Sequence, residues 1–317
     1  MKIRIGIAVV VVIALAGVAW AVLGRGGAET TRLVPAWQLT SDGSYDSSAL
    51  VDPVVSWSPD SKALLFAGIG AKFYQNYLYY WKVGDTRITR LVAGSCPNYT
   101  SNSKFLYLKS NPRSVAEYDL VTKRERLVAP QLPKWDLWRE LTGFSYDPAR
   151  KTLALRFAKF SRYYESGVEE ADLTGKCLGR LPRTTGGGVL DRSSDPKGNR
   201  VAVILGDLTG DVRQLRIARP GDEFKAETIV ENDLGAVAWS PDGKTVAFAE
   251  ADEVKLLNPD DRSIVTVARF AGRKAASDGR YVCRLVWSPN SKYLAAVELV
   301  PAEENTFMMI YVLRMGR

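Results

Sequence analysis

The chemistry open to this chain is limited by its residue types, because none of its 317 residues is a histidine. That excludes a Ser-His-Asp triad, a Cys-His dyad, a histidine general base and histidine-ligated zinc within the chain. A Gly-x-Ser-x-Gly elbow, a Walker loop and a Cys-x-x-Cys pair are also missing from the sequence. We therefore predict no cofactor, no metal site and no catalytic residue, and we expect that the protein is not an enzyme.

Carboxylates leave one class of enzyme open. Glycoside hydrolysis needs only a pair of Asp or Glu side chains. Many of the acidic residues fall in predicted turns, where solvation is sufficient reason for their presence. A site built from carboxylates alone is therefore kept as the alternative to a binding protein.

A repeated phrase indicates which elements position these residues. Trp-Ser-Pro-(Asp/Asn)-(Gly/Ser)-Lys begins at Trp57, Trp239 and Trp287, and a short apolar run follows each copy. Pro fixes φ at the second turn position, Asp or Asn bonds nearby backbone N–H groups, and a small residue tolerates the backbone that follows. The phrase therefore predicts a tight turn leading into a strand, with the Trp packed between neighbouring sheets.

Weaker copies of the phrase fill the gaps between the strong ones. The basic residue that ends each copy recurs with a mean period of about 46 residues, which suits a four-stranded propeller blade. These residues are Lys62, Lys104, Lys151, Arg200, Lys244 and Lys292. Short β-branched and aromatic runs between Gly, Asp, Asn and Pro turns fill the rest of each unit, and no long segment of helical period follows the N-terminus. The sequence predicts an all-β chain.

The phrase resembles the WD40-like repeat of TolB-type six-bladed β-propellers. The resemblance covers about residues 32–317, and it implies a non-catalytic protein that binds a protein partner at the cell envelope. The chain departs from that family because it lacks a separate N-terminal α/β domain. Propeller sialidases usually carry Ser-x-Asp-x-Gly-x-Thr-Trp boxes, and the sequence has none.

The two ends of the repeat region indicate how the ring closes. The last unit has strand-like runs near 281–287, 292–299 and 307–313, and then the sequence ends. A spare strand-like run at 32–40 resembles the outer-strand phrases of the other units. We predict that 32–40 supplies the missing fourth strand, which leaves no free sheet edge.

The N-terminal segment reads as a membrane anchor. Lys2 and Arg4 precede an apolar stretch over 5–24, whose length as a helix is about 30 Å, the thickness of a hydrocarbon core. A cleaved signal sequence is the alternative. The basic residues predict that 1–4 is a cytoplasmic tail, 25–31 a linker, and 32–317 a propeller in the periplasm or extracellular space.

Three cysteines add little to this picture. Cys96, Cys177 and Cys283 are far apart and odd in number, so at least one is unpaired within the chain. We expect the cysteines to serve as small buried hydrophobic residues. A disulfide between two of them is the alternative.

The net charge of +8 is concentrated in the second and third units, which favours an acidic partner. Nucleic acid is not expected for an exported domain.

The predicted link 129–141 and the predicted loops 159–164 and 71–77 all fall on the same end of neighbouring blades. They are rich in Trp, Tyr and Arg, which are enriched at binding hot spots. We predict a partner site formed by Lys134, Trp135, Trp138, Arg139, Phe160, Arg162, Tyr163, Phe73 and Tyr74. Glu303 and Glu304 would make the opposite side of this end acidic.

The sequence thus predicts a membrane-anchored extracytoplasmic propeller that binds an envelope protein or another acidic partner. The alternative is a carbohydrate-active or small-ligand-binding propeller with a carboxylate site in its central channel. Two buried acids with raised pKa values at the channel mouth would favour that alternative.

Overall fold

The computed structural model describes residues 29–40, 55–69, 76–110, 113–129, 139–147, 150–159, 162–172, 176–180, 189–206, 213–270, 281–301 and 305–315. Within these ranges every regular element is a β-strand, so the prediction of an all-β chain is confirmed. They hold no helix long and apolar enough to cross a membrane. The predicted tail and anchor, 1–24, lie outside the described residues.

The strands form six four-stranded antiparallel sheets. Sheet one has β2 (Val55–Trp57), β3 (Ala63–Ile69), β4 (Asn76–Lys82) and β5 (Ile88–Ala93), and sheet two has β6 (Ser95–Tyr99), β7 (Lys104–Ser110), β8 (Arg113–Asp119) and β9 (Glu125–Ala129). Sheet three has β10 (Arg139–Asp147), β11 (Thr152–Lys159), β12 (Arg162–Asp172) and β13 (Cys177–Arg180), and sheet four has β14 (Val189–Ser194), β15 (Val201–Leu205), β16 (Arg213–Ala218) and β17 (Thr228–Asn232). Sheet five has β18 (Leu234–Trp239), β19 (Val246–Glu250), β20 (Glu253–Leu257) and β21 (Ile264–Arg269), and sheet six has β22 (Tyr281–Trp287), β23 (Tyr293–Pro301) and β24 (Asn305–Arg314).

The fourth strand of sheet six comes from the other end of the chain. The predicted closure strand 32–40 lies within β1 (Glu29–Thr40), which pairs antiparallel with β24 from Glu29–Arg314 to Thr40–Asn305. The register shifts between Leu33 and Trp37, a stretch that contains Pro35. Pro has no N–H to donate to a ladder, so an outer strand with an irregularity is where it fits.

The core lies between neighbouring sheets. Trp57 and Phe66 of sheet one pack with Val297 and Ile310 of sheet six. Similar clusters join sheets one and two, two and three, four and five, and five and six. The first strands of these same four pairs of sheets contact one another, and β22 contacts β2, so the last sheet meets the first.

The turns of the repeated phrase are built as their residue types predict. The Ser58 hydroxyl donates to the Asp60 carboxylate over 2.7 Å, and its oxygen accepts from the backbone N–H of Ala63 over 2.9 Å. The copies at Ser240 and Ser288 repeat both bonds. The fourth residue of the turn has positive φ: +61° at Ser61, +76° at Gly243 and +58° at Ser291. A small residue at this place limits the cost of the left-handed backbone.

The same turns also bond to the neighbouring sheet. Asp242 N–H donates to Ser291 Oγ, Asn290 N–H donates to Ser61 Oγ, and Asp60 N–H donates to Asn102 Oδ1. These three bonds, of 2.9–3.2 Å, link sheets five, six, one and two in sequence. The residues that form each turn therefore also bond one sheet to the next, including the last sheet to the first.

The tryptophan indoles form a second set of bonds between sheets. Trp57 Nε1 donates to Val286 O over 3.0 Å, and Trp287 Nε1 donates to Ala238 O over 3.1 Å. Trp239 Nε1 is buried and has no hydrogen-bond partner within the described residues. Its ring instead lies under the Arg200 guanidinium, at 5.1 Å from the ring centroid.

Serines before the turn complete the junctions. Ser56 Oγ accepts from Tyr99 N–H, and Ser193 Oγ accepts from Trp239 N–H. Both serines stand two residues before the first residue of their turn. Each satisfies a backbone N–H of the next first strand, which has no ladder partner on that side.

The two cysteines whose side chains are described are thiols and form no disulfide among the described residues. Cys96 is fully buried in the core between sheets two and three. Burial raises the pKa of Cys283 to about 12. Both thus behave as the small hydrophobic residues that the sequence predicts.

We predict that the three tryptophans differ in their response to substitution. Trp57→Phe and Trp287→Phe each delete an indole hydrogen bond to a backbone carbonyl of the neighbouring sheet. Each should lower the free energy of unfolding by about 1–2 kcal/mol more than Trp239→Phe. The three positions are similarly buried, at 6%, 9% and 5% exposure, so Trp239→Phe is the matched control. Urea unfolding followed by fluorescence measures the difference, and equal losses at all three positions would contradict this assignment of the indole bonds.

Candidate partner-binding face

The alternation of strand direction gives the molecule two distinct ends. The first-to-second and third-to-fourth strand turns lie at one end, which we call the turn face. The second-to-third strand loops and the links between sheets lie at the other, which we call the loop face. The predicted partner site belongs to the loop face of sheets one to three.

Three residues of the predicted site are described, and each lies at a strand end on the loop face of sheet three. The strands run further than the sequence predicted: β10 begins at Arg139, inside the predicted link, and β12 begins at Arg162, inside the predicted loop. The loop prediction was wrong here because only residues 160 and 161 separate β11 from β12, and two residues suffice for a hairpin. Lys134, Trp135, Trp138, Phe160, Phe73 and Tyr74 lie outside the described residues.

The register of sheet three brings basic residues side by side. Arg139 of β10 is opposite Lys159 of β11, and Lys159 is opposite Arg162 of β12. Like charges in directly opposed positions repel one another. This row of three, the basic row, therefore favours an anionic group at its end of the sheet, and Lys159 joins the site that the sequence predicted.

Sheet two carries an ion pair between its second and fourth strands. The Tyr107 hydroxyl and the Lys109 ammonium both donate to the Glu125 carboxylate. Burial raises the pKa of Glu125, but the hydrogen bonds from Lys109 and Tyr107 outweigh it, so the pKa lies below its usual value. Glu125 is the first residue of β9, at the turn-face end, so this carboxylate draws the Lys109 ammonium away from the loop face.

Acidic residues dominate the loop face of sheet five. The turn from β19 to β20 carries Glu250, Asp252 and Glu253. Lys255 lies between two of them, with Nζ at 2.7 Å from Glu250 Oε2 and 3.3 Å from Glu253 Oε2. Burial raises the pKa of Glu253, but hydrogen bonds from Arg269 and Lys255 bring it below its usual value. We call this group the acidic hairpin.

The loop face thus carries opposite charges on different sheets. The predicted acidic side, Glu303 and Glu304, lies outside the described residues. Sequence reasoning missed the acidic hairpin, although the run Glu250-Ala251-Asp252-Glu253 was a readable signal. Acids in turns are commonly solvated, so the sequence alone does not distinguish this hairpin from the other turns.

The first strands hold a further polar pair, which sequence reasoning also missed. Arg284 Nη1 of β22 lies 3.9 Å from Asp191 Oδ1 of β14, and Asp191 Oδ2 accepts from Val237 N–H of the intervening β18. Burial lowers the pKa of Arg284. A Cβ on Gly235 would lie 2.1 Å from Val282 O, so only glycine permits the close approach of β18 to β22. Asp191 and Arg284 keep 19% and 29% of their side chains exposed.

Asp191 is engaged by an arginine and a backbone N–H. The described residues hold no group of three or more side chains that would ligate a metal.

Comparison with known proteins places the chain by its fold. No protein-family model matches it, and no curated protein matches it. Among solved structures, the oligogalacturonate lyase of Vibrio parahaemolyticus is 12% identical, with a TM-score of 0.50 over 92% of this chain and 98% of that chain. The chain has a propeller-type fold. A crystal structure of the mitotic checkpoint complex contains a chain 13% identical, with a TM-score of 0.51 over 93% of this chain and 94% of that chain.

TolB from Acinetobacter baumannii is also among the similar structures. It is 15% identical, with a TM-score of 0.41, and the match covers 67% of this chain and 53% of that chain. Identities this low show the fold alone. At such identities, the activity and partners of these proteins say nothing about the activity or partners of this chain.

The acidic hairpin makes a prediction about pH. Folding lowers the pKa of Glu253 below its ordinary value of 4.5. Its ionised carboxylate therefore stabilises the fold above that pH, and the contribution is lost as the pH falls below it. Glu253→Gln should lower Tm by about 1–3 °C at neutral pH, with the difference disappearing as the pH falls through the lowered pKa of Glu253.

The matched control is Glu227→Gln. Glu227 also pairs with an arginine, Arg262, but the two side chains are 72% and 56% exposed. Its effect on Tm should be smaller at every pH. Calorimetry across the pH range measures both variants, and a Glu253→Gln effect that persists below the pKa would contradict the ionic role.

Proposed function

We propose that this protein is a membrane-anchored, extracytoplasmic six-bladed β-propeller of TolB type that binds a protein partner at the cell envelope and catalyses no reaction. The observation that carries the proposal is the basic row Arg139–Lys159–Arg162. Three cations in adjacent register positions suit a carboxylate-rich segment of a partner. Nucleic acid is not part of the proposal.

The anchor is supported by the sequence. Residues 5–24 are apolar, follow Lys2 and Arg4, and have the length of a membrane span. In this proposal the segment is retained as a single-pass anchor, and 32–317 lies in the periplasm or extracellular space. A cleaved signal sequence would give the same compartment without the anchor.

The loop face is suited to selecting its partner by charge. An acidic partner segment is attracted to the basic row and repelled by the acidic hairpin at Glu250–Glu253. Such a combination of attraction and repulsion fixes orientation and excludes wrong partners. The aromatic residues Trp135, Trp138, Phe160 and Tyr163 would then add apolar contact beside the basic row.

Charge reversal tests the proposal. In cells that make the full-length tagged protein, Lys159→Glu/Arg162→Glu should reduce crosslinking of the main partner about tenfold or more, because attraction becomes repulsion. Lys151→Glu/Lys176→Glu makes the same charge change at the opposite end of the same sheet, and it should leave that crosslink intact.

Crosslinking with mass spectrometry measures both variants, with circular dichroism to confirm folding. Raising the salt concentration should weaken the wild-type crosslink, since the contact is electrostatic. An unchanged partner set in Lys159→Glu/Arg162→Glu, or equal losses in both double variants, would reject the loop face as the site.

The pair Asp191–Arg284 favours a second candidate function. A partly exposed arginine held by a carboxylate on the first strands would suit an acidic sugar or another small anion. In this alternative the protein is carbohydrate-active or a small-ligand binder, with its site in the central channel. Oligogalacturonate is a suitable probe, because it carries a carboxylate on each sugar.

Calorimetric titration of the wild type with oligogalacturonate tests this alternative. Arg284→Gln should weaken binding about tenfold or more, whereas Arg216→Gln, on the third strand of sheet four, should not change it. The channel site would be rejected if the wild type gave no heat of binding, or if Arg284→Gln and Arg216→Gln bound oligogalacturonate with equal affinity.

A further inference from the structure

The turn face of the molecule has a charge distribution that the partner proposal does not use. The basic residue that ends the phrase lies there in every sheet: Lys62, Lys104, Lys151, Arg200, Lys244 and Lys292. Lys104 and Arg200 are half-buried and form ion pairs with Glu117 and Asp260. Lys62, Lys151, Lys244 and Lys292 are exposed. The repeat therefore produces a ring of cations around one end of the molecule.

Acids of the same face are engaged by cations or by their own turns, and Asp222, Glu227 and Asp260 pair with Lys225, Arg262 and Arg200. Asp60 and Asp242 accept the hydroxyls of Ser58 and Ser240 and the N–H groups of their own turns. Asp119 likewise accepts from the N–H groups of Val121 and Thr122. These hydrogen bonds lower the pKa of Asp60 and of Asp119, so both are ionised, but their charge is directed at the turn backbone. The exposed lysines Lys62, Lys151, Lys244 and Lys292 add further cations to this face.

Exposed apolar side chains accompany the cations. Val121 is 77% exposed at the turn between β8 and β9, next to Lys123. Phe224 is 51% exposed in the turn between β16 and β17, next to Lys225. Both turns lie on the turn face, in sheets two and four. Apolar residues flanked by lysine are the combination by which proteins attach to the interface of an anionic bilayer.

The chain approaches this face from the proposed anchor. In the strand register, Glu29 of β1 lies opposite Arg314 of β24, and Arg314 lies opposite Tyr293 of β23. Tyr293 is the residue that follows the turn 288–292. The first residue of β1 therefore lies at the turn face. Five residue steps separate position 24 from position 29, which span at most about 18 Å even when fully extended.

We propose that the turn face docks on the anionic lipid surface of the membrane, with the lysine ring against the headgroups and Val121 and Phe224 at the interface. This inference rests on the proposed membrane anchor. It orients the molecule, because the loop face and its basic row then point away from the membrane toward an envelope partner.

Lysine footprinting of the full-length protein in nanodiscs tests the docking. Discs of phosphatidylcholine are compared with discs that also contain phosphatidylglycerol. Lys62, Lys244 and Lys292 should be acetylated at least about threefold more slowly in the anionic discs. Lys255, whose ammonium lies between Glu250 and Glu253 on the loop face, is the internal reference and should react equally in both.

A pair of variants separates docking from a general effect of lipid. Val121→Asp/Phe224→Asp should abolish the protection of the lysines in anionic discs. Leu127→Asp makes the same kind of change at a residue that is 49% exposed in the middle of the outer strand β9, and it should keep the protection. Equal effects of these variants would overturn the proposal.

The possible failures are distinguishable. A chain that does not copurify with the discs refutes the anchor and, with it, the docking. A chain that copurifies, while its turn-face lysines react equally in the two lipids, refutes the docking and leaves the anchor in place.

Discussion

The contact between the last sheet and the first is the constraint on which the rest of the structure depends. A four-stranded sheet with two apolar faces is stable only when both faces are covered, so each sheet needs a neighbour on either side. Among the described residues, sequential neighbours form the junctions of sheets one and two, two and three, four and five, and five and six, whereas the junction of sheets six and one joins residues more than two hundred positions apart. Trp57 Nε1 bonds to Val286 O, Asn290 N–H bonds to Ser61 Oγ, and the ring of Trp57 stacks on Tyr293 at 5.8 Å. Strand β1 also connects the two ends of the chain, because it places an N-terminal segment in the same sheet as the last three strands.

This requirement explains the chemistry of the repeat. Asp60 is needed within its own turn, yet its N–H also binds the next sheet, so one residue serves both local and long-range structure. The basic residue that ends the phrase is not needed for either purpose, since Lys62 contributes its backbone N–H to the turn and leaves its side chain exposed. The turn face can therefore carry a ring of cations at no cost to closure. The same separation frees the loop face to vary in charge from sheet to sheet.

Much of this architecture was predictable from the sequence, because the turn phrase has a direct physical meaning. Pro59 and Asp60 define a turn wherever they occur, and their recurrence gives the period of the sheets. The strand 32–40 was identifiable because the last unit lacks a strand. The hydrogen bonds between sheets were not predictable, since Ser56 and Ser193 are ordinary strand residues until the neighbouring first strand is in place. Asp191 and Arg284 are likewise 93 positions apart in the sequence. They approach each other across β18, where Gly235 permits the close approach of β18 to β22.

The basic row shows where sequence reasoning falls short at a candidate site. A count of Lys and Arg in the second and third units indicates an acidic partner, but it does not say which charges are adjacent. Adjacency is decided by register, and a shift of one residue would move Lys159 to the other side of the sheet. Because Arg139, Lys159 and Arg162 come from three strands, their alignment depends on the irregularities in both pairings of sheet three. The fold thus determines the site through its register, and in the proposed arrangement the anchor would set its orientation through the direction of β1. If both hold, the two ends of one ring perform different tasks: one meets lipid and the other meets protein.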